Sequence, residues 1–192
     1  MATIHERLDE ILPRLKEDKF MEGKGLGNEI GYYVFDYASE YELLVRDHVQ
    51  FVKEEINNSN LGVKIVEFDL YQIMLDILED KGYLEKTIKM EQKAGKERVL
   101  RATKNALKLL NDNNLLVMHI TERVEEDTIV FLTGVGKAWP IIRSHTVLNN
   151  LHAAIDQVPV VMFFPGTYNG SELVLFDEIK DDNYYRAFRL VE

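Results

Sequence analysis

Apolar residues recur along this chain in two periods, and the switches between them mark out its elements. Ile4, Leu8, Ile11, Leu12 and Leu15 fall three or four residues apart, the spacing that lines one face of a helix. Thr3 and Glu6 form the T-x-x-E pair that caps such a helix, and Pro13 predicts a kink or restart near its end. Residues 21–31 carry glycine at 23, 25, 27 and 31 and read as a loop. The aromatic run 32–37 predicts a strand with Asp36 near its exit. Ser39 and Glu42 repeat the capping pattern for a helix reaching about Asn57. A strand over 63–68 follows, with Asp69 at its end, then a helix over 70–81 that stops at Gly82. Two further helical stretches, 84–94 and 96–111, meet near Gly95.

The second half reads the same way. Residues 115–120 and 128–132 predict two strands joined by a charged link. Gly134 and Gly136 supply a turn in which positive φ carries no Cβ penalty. A helix follows with Pro140 in its first turn; Ile141, Ile142, Leu148, Leu151 and Ala154 face inward while Arg143, His145 and Asn149 stand clear. The unbroken apolar run 158–164 is a strand of the kind buried on both faces, ended by Pro165 and Gly166. Residues 173–176 and 184–191 predict a pair of strands at one edge, antiparallel in sense. Strands alternating with helices predict a three-layer α/β domain, Rossmann-like or P-loop-NTPase-like, with a mostly parallel sheet. The expected organisation is a single α/β domain over 1–192 with a helical elaboration over about 70–111.

Composition narrows the chemistry. The chain has no cysteine, so disulfides, thiolate metal sites and thiol nucleophiles are excluded. Its opening residues lack the apolar core of a signal peptide, and no apolar run reaches the roughly 20 residues of a membrane span, so a cytoplasmic location is expected. With 33 acidic against 23 basic side chains, the net charge of −10 repels polyanions at long range and disfavours stand-alone DNA binding. Against that background Lys86, Lys89, Lys93, Arg101, Lys104 and Lys108 form a basic strip at helical spacing. It reads first as a solvated helix face, and second as a contact strip for an acidic protein or a nucleic-acid backbone.

The candidate sites are weaker as catalysts than as surfaces. Gly134-Val135-Gly136-Lys137 resembles the end of a phosphate loop, but Phe131 replaces the first glycine and Ala138 the magnesium-binding hydroxyl, so there is no Walker A motif. Ser144 and His145 are adjacent on a helix and point about 100° apart, a poor geometry for nucleophile and base. Asp36 and Asp69 could converge at strand ends on a metal, yet aspartate there is also what helix caps prefer, and the histidines show no ligand spacing. No metal site and no cofactor is expected. Arg143, His145 and Asn149, with Tyr185, Arg186 and Arg189 near the C-terminus, are the candidate partner-binding residues, because Tyr and Arg anchor interfaces. Gly134, Gly136, Pro165 and Gly166 are assigned to structural turns.

Three strings, FLTGVGKAWPIIRSHTVLNNL, VPVVMFFPGTYNG and DDNYYRAFRLV, resemble in order and spacing the C-terminal half of the BrxB family of BREX bacteriophage-defence systems. They span residues 131–191, and the chain length fits the whole family protein. The resemblance implies a non-catalytic component of a complex that methylates host DNA and excludes phage. It further implies an adaptor that meets the PglZ-type protein, with the PglX methyltransferase and a large AAA+ ATPase as neighbours. The rival readings are a nucleotide- or metal-binding sensor or enzyme using Lys137, Arg143 and Asp36 or Asp69, and a DNA-contacting subunit using the basic strip.

Overall fold

The computed structural model describes residues 2–17, 20, 31–111, 113–180 and 187–192. Helix α1 (Ile4–Leu15) opens the chain with the capping box in place: Glu6 N–H donates to Thr3 Oγ1 at 3.3 Å, and Thr3 N–H to Glu6 Oε2 at 2.7 Å. Pro13 sits inside this helix without ending it. Strand β1 (Tyr32–Tyr37) follows, buried at every position, and helix α2 (Glu42–Asn57) leads to strand β2 (Lys64–Asp69). Helix α3 (Leu70–Asp80) then begins a helical run comprising α4 (Leu84–Ala94), α5 (Lys96–Ala106) and α6 (Leu115–Thr121). Strand β3 (Thr128–Thr133), the short helix α7 (Val135–Ala138), helix α8 (Ser144–Ala154) and strand β4 (Val160–Tyr168) come next. Short strands β5 (Leu173–Leu175), β6 (Ile179–Lys180) and β7 (Phe188–Arg189) complete the described elements.

The strands β2-β3-β4-β1-β7 lie side by side in that order, and all four junctions are parallel. Alternation along each strand divides the core in two. Tyr33, Phe35, Phe131, Val161 and Phe163 face α1 and α2, while Val34, Val130, Leu132, Val160 and Met162 face α3, α6 and α8. This is a three-layer α/β architecture with a mostly parallel sheet, as the strand–helix alternation predicts.

Several local expectations are corrected. Residues 115–120 form helix α6, not a strand: a six-residue apolar run fits either period, and Asn114 decides it by accepting from Leu116 N–H and Val117 N–H. Leu116 and Ile120, four apart, are fully buried while Met118 is exposed, a helical pattern that strand alternation forbids. Ser39 does not cap α2; residues Ser39–Tyr41 form a 3₁₀ turn, and Glu42 accepts instead from the Tyr37 hydroxyl at 2.6 Å. Helix α5 stops at Ala106 rather than 111. Pro140 falls between α7 and α8 rather than in a first helical turn, and Ala154 is exposed rather than inward.

Only Gly134 of the Gly134/Gly136 pair has positive φ, at +70°. Gly136 is helical, and its lack of a side chain is explained by the Phe176 ring, which a Cβ would meet at 2.9 Å. Strand β4 does not end at Pro165 and Gly166 but runs through them to Tyr168. Up to Pro165 it pairs with β1, and from Gly166 it turns to pair antiparallel with β5. The expected pairing of the two C-terminal strands does not form: β5 pairs β4 and β6, whereas β7 adds to the far edge of the sheet, parallel to β1.

Gly166 makes the change of partner possible, because a Cβ there would overlap the Val174 carbonyl oxygen, and its φ is +152°. Gly166→Ala is therefore expected to cost more than about 2 kcal/mol in urea denaturation, against about 1 kcal/mol for Gly62→Ala, where φ is +72° but nothing lies within 4 Å. Equal losses at the two sites would refute the close-approach account.

Candidate functional site

Parallel strands of this kind present their functional groups beyond their carboxyl ends. Here the rim holds a crevice of about 180 Å³ between the ends of β2 and β3 and helix α2. Glu67 lies at its centre, near the end of β2, and is largely buried. It accepts from Lys53 Nζ at 2.8 Å, Gln50 Nε2 at 2.6 Å and Thr133 Oγ1 at 2.9 Å. Burial pushes this carboxyl up, but the Lys53 and Thr133 hydrogen bonds, the Lys53 charge and the Gln50 amide together outweigh it and hold it below its usual value. Around it, Asp69 caps α3 by accepting from Tyr71 N–H at 3.0 Å and Gln72 N–H at 3.2 Å, and it pairs with Lys137. Glu42 bonds Tyr37 and Arg46, and burial followed by the Glu42 hydrogen bond drives the Tyr37 phenol upward. The crevice is polar, but its carboxylates are matched by cations and donors of the same chain.

Asp36 forms a separate cluster. Strands β3 and β4 lie between β1 and β2, so Asp36 and Asp69 stand about 14 Å apart at ordinary strand spacing, and the two carboxylates do not converge. Asp36 is buried. It accepts from Arg7 at 2.8 Å and from Tyr168 N–H at 3.0 Å, and Arg189 approaches its other oxygen at 3.7 Å. Arg7 also donates to the Asp36 carbonyl at 2.7 Å, and Arg189 to the Tyr168 carbonyl. The Tyr168 hydroxyl donates to Ala187 O at 2.8 Å. One buried carboxylate thus gathers α1, β1, the end of β4 and the C-terminal segment. Among the described residues, no group of three or more histidine, aspartate or glutamate side chains is placed to hold a metal ion.

The remaining predicted residues that the structure describes lie on surfaces. Arg143 is exposed at the N-cap of α8, Asn149 is exposed farther along it, and His145 is half-buried with Nε2 3.0 Å from Thr146 Oγ1. Tyr185 and Arg186 lie outside the described residues, as do the glycines at 23, 25 and 27. The basic strip is divided between two helices: Lys86, Lys89 and Lys93 on α4, Arg101 and Lys104 on α5, with Lys108 in the turn beyond. Helix α4 packs on α5 and touches α3, yet none of its residues is buried; Thr103 is the one buried residue of α5. Tyr83 and Ile88 are exposed among the lysines, and Lys86 lies 5.4 Å from the Tyr83 ring centre.

Sequence reading missed the Glu67 and Arg7–Asp36 clusters. Their members come from elements far apart in the chain, and the one local hint is Glu67, a carboxylate set between Val66 and Phe68 within a strand.

Architecture and rim together define a three-layer α/β protein without a Walker A motif, whose strand-end charges are neutralised from within. A profile of the family described as BREX protein BrxB matches residues 66–190. The chain is 62% identical over 192 residues to BREX protein BrxB of Bacillus cereus (strain H3081.97), covering the whole of both. It is 34% identical over 189 residues to BREX protein BrxB of Escherichia coli O9:H4 (strain HS), covering 98% of this chain and 92% of that one. The chain belongs to the BrxB family of BREX systems. No solved structure matches it.

Replacing Asp36 with Asn leaves the largely buried Arg7 guanidinium without its counter-charge, and is expected to cost about 3 kcal/mol by urea denaturation. Glu67→Gln should cost about 2 kcal/mol at neutral pH. Because the folded Glu67 carboxyl titrates below its ordinary 4.5, its contribution is complete above that pH and is lost as pH falls through the folded value. The gap between wild type and Glu67→Gln should therefore close on acidification; a gap that widened would contradict the assignment.

Proposed function

We propose that this chain acts as one non-catalytic adaptor unit within a BREX assembly. It binds the PglZ-type protein and helps organise the PglX methyltransferase and the AAA+ ATPase, in support of host methylation and phage exclusion. The observation that carries this reading is the α4–α5 hairpin, which contributes almost nothing to either core. A helix normally gains its stability by burying an amphipathic face. Helix α4 instead leaves Ile88 half exposed, and although Lys89 pairs with Glu85 and Glu91 lies on the same helix, Lys86, Lys89 and Lys93 keep its charge positive, a mixture suited to an acidic protein surface. Arg143, His145 and Asn149 form a second contact region on α8. Arg189, engaged with Asp36 and Tyr168, anchors the last residues of the chain, and Tyr185 and Arg186 precede it in sequence.

The enzyme reading is weakened by the rim itself. A general base or nucleophile needs a group poised to exchange protons with substrate. Lys137 is paired with Asp69, Asp69 caps a helix, and Asp36 is enclosed on another strand. The DNA reading is weakened by the net charge of −10.

Mixing the purified chain with its PglZ-type protein at micromolar concentration should give a complex on size exclusion. The triple variant Lys86→Glu, Lys89→Glu, Lys93→Glu should weaken that complex about tenfold, with its melting temperature unchanged. No complex between two folded proteins would overturn the adaptor reading. A melting temperature raised by a nucleotide or divalent ion would favour the sensor instead.

A further inference from the structure

We infer that the outer edge of β2 is a latent strand-pairing surface for a second copy of this chain, and that the Asn57 side chain holds it shut. Strand β2 ends the parallel sheet on one side, and among the described residues no strand adds beyond it. Lys64 N–H donates to Asp127 O at 3.0 Å, on the β3 side. Backbone groups alternate in direction along a strand, so Lys64, Val66 and Phe68 turn toward β3 while Ile65 and Glu67 turn outward. An edge of this kind offers a row of donors and acceptors to any other strand. Here the row is interrupted at its centre. Asn57, the last residue of α2, accepts from Ile65 N–H at 2.6 Å through Oδ1 and donates from Nδ2 to Ile65 O at 3.1 Å. One amide thus makes both bonds that a directly opposite residue of an antiparallel strand would make.

Helix α2 does not need this contact to end. Its last turn is closed by backbone bonds, Asn58 N–H to Glu54 O and Ser59 N–H to Ile56 O, both at 3.0 Å. Asn57 is itself exposed, so its side chain serves the strand rather than its own helix or its own burial. Of the two edges, β2 is the one that calls for protection. It has six residues against two in β7 at the far side, and very short edge strands are poor templates. The exposed Lys64 adds a charge, another device that blunts edges. Symmetry sets the occupant. With Asn57 out of the way, a two-fold antiparallel pairing that puts Ile65 opposite the other copy's Glu67 would satisfy the outward groups of both residues in each copy. An unrelated strand would have to match that register, whereas a second copy carries it already. The inference is independent of the adaptor reading, whose proposed contacts lie on α4 and α8.

The test is sedimentation of the full chain over about a hundredfold range of concentration, with wild type, Asn57→Ala and Asn114→Ala side by side. Asn114→Ala is the control for lost stability: it removes a side chain that accepts from Leu116 N–H and Val117 N–H and donates to Leu109 O, without opening a strand edge. Asn57→Ala should self-associate about tenfold more tightly than wild type, and Asn114→Ala should not. Amide hydrogen exchange locates the contact. The Ile65 amide should exchange slowly in wild type and faster in dilute Asn57→Ala. It should become slow again in the concentrated variant, as a second copy takes over the bond. Should Asn57→Ala fail to fold, Asn57→Asp keeps the acceptor for Ile65 N–H and loses the donor to its carbonyl, and should still self-associate more than wild type. A folded Asn57 variant that keeps the wild-type oligomeric state at every concentration would overturn the inference. So would equal association of Asn114→Ala, or association that leaves the Ile65 amide exchanging fast.

Discussion

Parallel strands make a demand that antiparallel ones do not: both faces of the sheet must be covered, because the crossovers that connect them place helices on each side. In this protein α1 and α2 cover one face and α3, α6 and α8 the other, with Val34, Phe131, Val160 and their neighbours completely buried between the layers. That coverage accounts for most of the helical chain. It does not account for α4 and α5. A hairpin that the fold hardly uses for burial is the element on which the proposed adaptor role rests.

The same demand shapes the ends of the strands. Once β4 passes Pro165 it leaves the parallel ladder, and Asp36 takes over by accepting the Tyr168 N–H that β1 can no longer bond. A buried carboxylate is tolerable only when paired and hydrogen-bonded, which Arg7 and Arg189 supply from opposite ends of the chain. Glu67 is treated likewise by Lys53, Gln50 and Thr133. The rim that in other α/β proteins receives a substrate is here knit into the structure. Its charges hold the strand ends and the two chain termini in place.

Much of this was legible in the residues. The alternation of apolar strands and helices gave the layers, and Gly134 and Thr3 announced a turn and a cap that the structure contains. Local pattern misleads where a short apolar run fits two periods, and it is silent about tertiary partners. LLVMHI reads as a strand until Asn114 is seen to cap it, and Pro165-Gly166 reads as a stop until Val174 is seen to lie against the glycine. Asp36 looked like half of a metal pair because strand order cannot be read from sequence, and order places two strands between it and Asp69. The candidate site suffered most, since Arg7, Asp36, Tyr168 and Arg189 meet only after folding.

Charge distribution sets the proposed contact surface apart. A uniformly acidic protein would repel acidic partners from every direction, and at physiological ionic strength a favourable patch is felt only within about 8 Å. Lys86, Lys89 and Lys93 of α4 and Arg101 and Lys104 of α5 give the hairpin a run of cations in a chain whose net charge is −10. Such an arrangement orients an encounter before any apolar contact forms. On the adaptor reading, a partner oriented by those cations would cover the exposed Tyr83 and Ile88, and that contact would slow its departure. The proposed adaptor thus divides its labour, with basic charge governing approach and exposed apolar side chains governing retention, while the carboxylates Asp36 and Glu67 are committed to the fold.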